Sequence, residues 1–184
     1  MYRLRKILWG MRACLLSPAF GRLLLPSYLG PPTLLVGCRN MFIERRVRIY
    51  PGLRAETHHG GTIHIGEGVS IGQNCHITAM GKLAIGEGTV LVGSVVVTDI
   101  DHDYSDIDRS ILEQGLIYSR TEIGRNCFVG MGACIQAGTV MGDGCIVGAN
   151  SVVRGEFPPH SVLVGAPARI VKRYDSESGM WKRC

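Results

Sequence analysis

One histidine in this chain stands among five carboxylates. The stretch Thr98-Asp99-Ile100-Asp101-His102-Asp103-Tyr104-Ser105-Asp106, with Asp108 just beyond, places acids on both sides of His102. Neighbouring carboxylates raise the basicity of an imidazole and can fix its tautomer. Such a base suits reactions in which a hydroxyl must lose its proton as it attacks, because an unassisted hydroxyl is a poor nucleophile. The same composition also describes an ordinary solvated loop. A third reading is a divalent-metal site, with His58, His59, His64 or His76 brought close by the fold. What separates these readings is the kind of element that carries His102.

From Ile65 to Arg154 the chain repeats a six-residue unit: an aliphatic residue, often Gly, two turn residues, a small residue and a variable one. The second block reads Ile123-Gly124-Arg125-Asn126-Cys127-Phe128, Val129-Gly130-Met131-Gly132-Ala133-Cys134 and Ile135-Gln136-Ala137-Gly138-Thr139-Val140, with further units starting at Met141, Val147 and Val153. The first block starts at Ile65 and Ile71, slips by two residues at Lys82 to Ala84, and resumes at Ile85, Leu91 and Val97. The fifth position holds only small or β-branched residues: Val69, Cys75, Thr89, Val95, Cys127, Ala133, Thr139, Cys145 and Ser151. A hexapeptide period with one large and one small inward residue predicts short strands wrapped around a narrow core, a parallel β-helix. An antiparallel sandwich would have longer strands and turns at varying spacing. The period leaves the handedness of the coil open, although the usual crossover preference favours a right-handed path. The repeat breaks once at length, after Val97, and resumes at Ile123, so His102 lies in an outward excursion.

Length and composition agree with one domain and two appendages. At 184 residues there is room for one core, and 7% aromatics against 25 glycines suit a thin coil with little space for rings. The seven cysteines are odd in number and include no Cys-x-x-Cys pair; Cys75, Cys127 and Cys145 take inward small positions. They read as buried small hydrophobes in a reducing compartment, which argues against a zinc site and points to the cytoplasm. The net charge of +5 is not accompanied by interleaved aromatic and basic residues on the repeat, so nucleic acid is not an expected partner.

The predicted organisation is an arm over residues 1–30, a β-helix over 31–170 with an inserted loop at about 98–121, and a basic tail over 171–184. In the arm, Arg3, Arg5, Lys6, Arg12 and Arg22 are interleaved with apolar residues, and no acid occurs before Glu44. Leu4, Leu8, Met11 and Leu15 fall at helical spacing. That predicts an amphipathic helix which either caps the β-helix or lies on an anionic membrane surface, two roles that are compatible. The run is too short to span a bilayer, and free cysteines argue against an export signal.

Beyond the repeat and the His102 excursion, the chain ends its regular part in Gly155-Glu156-Phe157-Pro158-Pro159-His160-Ser161-Val162-Leu163-Val164-Gly165-Ala166-Pro167-Ala168-Arg169-Ile170-Val171-Lys172. Taken together, these features resemble the hexapeptide-repeat acetyltransferases. The nearest branch acts on sugar hydroxyls and includes galactoside and maltose acetyltransferases and the O-acetyltransferases of surface polysaccharides. The resemblance covers about two-thirds of the chain. Its proline pair followed by Val-Gly-x-Pro-Ala-Arg is the specific part, since hexapeptides alone are shared with nucleotidyltransferases, capping proteins and carbonic anhydrases of the gamma class.

The resemblance implies an all-β fold, a left-handed parallel β-helix with a short N-terminal helical arm and a C-terminal basic tail, assembled as a homotrimer. It also implies acetyl-CoA between adjacent subunits, composite active sites and no metal. His102 matches the base that activates the acceptor hydroxyl for direct attack on the thioester. Relatives that modify polysaccharides carry a histidine two residues before that base, where this chain has Ile100. Asp99 is the expected orienting partner, ahead of Asp101. Met131 and Ala149 match positions whose backbone meets the pantetheine arm or thioester oxygen, with Gly130 and Gly148 allowing close approach. Arg169 and Lys172, with Arg154, match cations near the CoA phosphates. Asn74 and Phe128 match positions on the acceptor side. The expected function is therefore O-acetylation of a sugar of a surface polysaccharide or its lipid-linked precursor, at the cytoplasmic face of the inner membrane. The alternatives are a catalytically silent β-helix scaffold and an interfacial-metal enzyme of the gamma carbonic anhydrase type.

Overall fold

The computed structural model describes residues 2–184, with side chains from Leu4 onward. Parallel strands wind into a three-faced β-helix, and the pairing register shows why a six-residue period builds it. On the first face, Ile43, Ile65, Ile85, Ile123 and Met141 stack in one inward column. The second face stacks Leu29, Ile49, Ile71, Leu91, Val129, Val147 and Leu163. The third stacks Ala55, Ile77, Val97, Ile135 and Val153. Every one of these side chains is buried. Burial of a full aliphatic side chain is worth about 1.5–3 kcal/mol, so the columns supply most of the driving force for coiling.

The small residues at the fifth repeat position all turn into the corners between faces and are buried, from Val69 to Ser151. A larger side chain there would push adjacent faces apart. The opposite side of each tight corner is made by residues in the left-handed region. Asn74, Asn126 and Asn150 have φ of 57°, 52° and 56°, and the amide oxygen of each fills the space beside a glycine of the preceding coil, Gly52, Gly88 and Gly132. Asparagine tolerates this conformation better than most residues, which explains its recurrence at one register of the repeat.

The coil begins earlier than the sequence suggested. Arg22–Leu23 and Tyr28–Leu29 pair in parallel with Met41–Ile43 and Arg48–Ile49, so they belong to the first coil and not to the arm. Helix α1 (Tyr2–Leu16) is the arm proper. It lies against the beginning of the second face, with Ala13 fully buried and Trp9 packed on Tyr28 and Tyr50 at 5.7 and 6.0 Å between ring centroids. The tail is also ordered: Ala168–Asp175 returns antiparallel along Ser161–Gly165, and Met180–Arg183 pairs beside it, extending the second face. No helix among the described residues is long and apolar enough to cross a membrane.

Candidate active site

His102 closes the short strand Ile100–His102, which pairs antiparallel with Leu116–Tyr118 and stands at the corner between the third and first faces. Several groups tie this hairpin to the coil. Asp99 is fully buried beneath it, and its carboxylate accepts the N–H groups of Met80 at 2.7 Å and Gly81 at 3.0 Å. Thr121 Oγ1 donates to the Thr98 carbonyl at 3.1 Å, closing the far end of the excursion. Asp101 forms an ion pair of 2.9 Å with Arg154, two coils further along the third face. Burial raises the Asp99 carboxyl above the ordinary range, and the Met80 and Gly81 amides pull it back by less.

Two sequence expectations change here. Asp99 makes no hydrogen bond to His102; its oxygens accept two backbone amides and anchor the hairpin instead. Arg154 is not a free cation for phosphate, since it is paired with Asp101. The His102 side chain is exposed, and its imidazole makes no hydrogen bond or ion pair among the described residues.

His102 faces a cavity of about 340 Å³ between the hairpin and the third face. Arg54, Glu56, His58, His76, Thr78 and Thr98 line it from the third face, and Ile100 and Leu116 from the hairpin. Glu56 is the centre of the charged group formed with Arg54, His58 and His76. Although on the outer side of its strand, it is only 7% exposed. It accepts from Arg54 Nε at 2.5 Å and lies 3.3 Å from His76 Nε2 and 3.9 Å from His58 Nε2. The Arg54 hydrogen bond holds its carboxyl below the usual range. Arg54 and Glu56 were not among the sequence candidates. The signal was available in principle, because Arg54-Ala55-Glu56 on a strand puts the charged pair on one face, but nothing in the repeat shows that His58 and His76 stand beside it. His64 is elsewhere, stacked on Phe42 at 4.8 Å on the first face. No three His, Cys, Asp or Glu side chains among the described residues converge to hold a metal ion.

The remaining expected residues gather at another edge. Asn74, Met131 and Ala149 lie at the corner between the second and third faces, one edge away from His102, with the Leu91 coil between the levels of Asn74 and Met131. The Asn74 side chain is engaged in its turn, over Gly52. The Met131 and Ala149 amides, one coil apart, donate to no group among the described residues, whereas the Met131 carbonyl accepts from Asn150 N–H at 2.8 Å. Gly130 lies so close to the Ala149 nitrogen that an added Cβ would stand 2.6 Å from it. Phe128 is an outward, 45% exposed residue of the second face leading to this ridge. Arg169 pairs with Val164, whose side chain borders Gly148, so it sits beside the ridge; Lys172 pairs with Val162 in the outward column that contains Phe128. One chain therefore holds two separate groups of candidate residues, divided by the width of the third face.

Residues 120–155 match the family model described as bacterial transferase hexapeptide (six repeats). The chain is 32% identical over 143 residues to an Escherichia coli (strain K12) protein named as a lipopolysaccharide biosynthesis O-acetyl transferase, covering 72% of this chain and 71% of that one. It is 28% identical over 115 residues to the galactoside O-acetyltransferase of the same organism, covering 62% of this chain and 55% of that protein. Among solved structures, an N-acyltransferase from Bacillus cereus, AntD, in complex with dTDP and 3-hydroxybutyryl-CoA, superimposes with a TM-score of 0.70 at 16% identity, over 91% of this chain and 90% of that one. This last likeness is one of fold. The chain belongs to the family of hexapeptide-repeat acyltransferases.

Proposed function

We propose that this protein is an acetyl-CoA-dependent O-acetyltransferase that works as a homotrimer on a sugar hydroxyl of a surface polysaccharide or its lipid-linked precursor. The observation that carries the reading is the separation of two incomplete groups of residues on one chain. His102 projects at one corner, and the Met131 and Ala149 amides, without acceptors among the described residues, stand at another. Packing a neighbouring subunit's ridge against the His102 hairpin would complete a site from both.

In that site the His102 imidazole takes the acceptor hydroxyl proton while the hydroxyl oxygen bonds to the thioester carbonyl carbon. The carbon–sulfur bond then breaks, and the thiolate of CoA recovers the proton from His102. No acyl-enzyme is needed. The Met131 and Ala149 amides are suited to hold the pantetheine arm or the developing oxyanion. Arg169 and Lys172 would meet the CoA phosphates, and Phe128 and Asn74 would border the acceptor. Asp99 positions His102 through the hairpin without touching it. The relatives named above as a lipopolysaccharide biosynthesis O-acetyl transferase and a galactoside O-acetyltransferase support a sugar acceptor.

We further assign the protein to the cytoplasmic face of the membrane, held peripherally through α1. Leu4, Ile7, Leu8, Met11 and Leu15 are all more than half exposed on the side away from Trp9 and Ala13, and basic residues flank them. This arrangement matches an interfacial helix.

The decisive measurement is transfer from labelled acetyl-CoA across a panel of nucleotide sugars and oligosaccharides. Replacing His102→Ala lowers turnover about 10²- to 10⁴-fold with the circular dichroism spectrum unchanged. Undiminished transfer by that variant would sink the assignment.

A further inference from the structure

The cavity in front of His102 is unbalanced in its hydrogen-bonding capacity. Its one carboxylate, Glu56, has Oε1 engaged by both Arg54 and His76, and its other oxygen, 3.9 Å from His58 Nε2, belongs to a side chain only 10% exposed. What remains open is mainly donors. Arg54 is bound only through Nε, its side chain is about half exposed, and its two terminal amino groups have no partner among the described residues. A guanidinium clamped at Nε by a buried carboxylate is held in one orientation, with its outer N–H fork still free. Such a fork matches two oxygens of one anion and is a poorer match for isolated hydroxyls. Ile100 and Leu116 on the opposite wall offer apolar surface for a sugar ring.

Resting on the acetyltransferase reading above, we propose that this cavity is the acceptor subsite and that it selects an anionic sugar. Arg54 grips a carboxylate on the ring or a phosphate on its anomeric oxygen, and places a nearby hydroxyl at His102. Glu56 is a positioning residue that acts through Arg54.

Binding to the full chain, followed by nuclear magnetic resonance titration, tests this with three probes: methyl β-glucuronide, glucose 1-phosphate and uncharged methyl β-glucoside. At least one charged probe binds about tenfold or more tighter than the glucoside. Preference for the glucuronide alone identifies a ring carboxylate, and preference for glucose 1-phosphate alone identifies the phosphate. Arg54→Gln abolishes the preference, Arg54→Lys keeps part of it as a point charge, and Glu56→Gln weakens it. Should Arg54→Gln fail to fold, the Arg54→Lys comparison carries the test. Equal affinity for all three probes, no binding of any, or a preference unchanged by Arg54→Gln or Arg54→Lys overturns the proposal. His102→Ala separates the two readings, because it must leave the charged preference intact. A preference dependent on Arg54 with undiminished acetyl transfer in His102→Ala defeats the acetyltransferase assignment alone. Loss of transfer in His102→Ala without a charged preference defeats the anionic subsite alone.

Discussion

Asp99 and Arg154 show how far a residue's role depends on what its neighbours do with it. Both lie close to His102 in the fold, yet neither touches the imidazole. Asp99 holds the base of the hairpin through two backbone amides, and Arg154 holds its flank through Asp101. The ion pair is half exposed on both sides, so its loss costs about 1 kcal/mol of stability or less. Its effect belongs in the chemistry. Arg154→Ala is expected to lower kcat about tenfold, by loosening the His102 geometry, while KM for acetyl-CoA stays constant. A several-fold rise in that KM would instead return Arg154 to the phosphate site. Asp99→Ala strands two amides and costs about 1–3 kcal/mol, read from urea unfolding. Asp99 also has a pH signature. A carboxyl raised above its unfolded value contributes stability that is fully present below that unfolded value and lost as pH rises through the raised one. Stability of the native chain should therefore fall across that window relative to Asp99→Ala. Parallel curves for the two proteins would contradict this.

Helix α1 was expected either to cap the coil or to meet a membrane, and its packing leaves room for both. Trp9 and Ala13 close against the second face, and Leu4, Leu8, Met11 and Leu15 form the opposite, exposed stripe. An ordinary surface helix turns its larger apolar stripe inward. Here the larger one faces out, which is costly in water unless something covers it. Because the outer stripe makes no contribution to the core, Leu8→Asp combined with Met11→Asp should leave the melting temperature within about 3 °C of the parent. The same variant is expected to lose flotation with vesicles containing anionic lipid, which the parent retains in low salt. Equal flotation of both proteins would remove α1 as the anchor. The C-terminal hairpin, read from sequence only as a basic tail, is a folded extension of the second face, and it is this pairing that brings Arg169 beside the Met131 and Ala149 ridge.

For the molecule as a whole, division of the candidate residues between two corners makes a prediction about assembly. If each site joins one subunit's His102 to the next subunit's ridge, His102→Ala and a ridge-blocking Ala149→Trp variant are each inactive alone. Mixed trimers refolded from both regain a substantial fraction of parental turnover, because some interfaces combine two intact halves. No recovery on mixing would place the site within one chain. The coil itself was legible from residues alone. A period of six with large and small inward positions specifies which side chains are buried, and the columns from Ile43 to Met141 and from Leu29 to Leu163 follow it coil by coil. The break at His102 was legible for the same reason, as the place where that burial pattern stops. Spacing along the chain says nothing about which outward residues meet across coils, because stacking joins positions some twenty or more residues apart through backbone pairing. The Arg54, Glu56, His58 and His76 group arises only from that stacking. So does the capture of Asp99 by Met80 and Gly81, since a carboxylate in a dense acidic run goes to whichever donors the fold brings within reach, and here those donors are main-chain amides of the preceding coil.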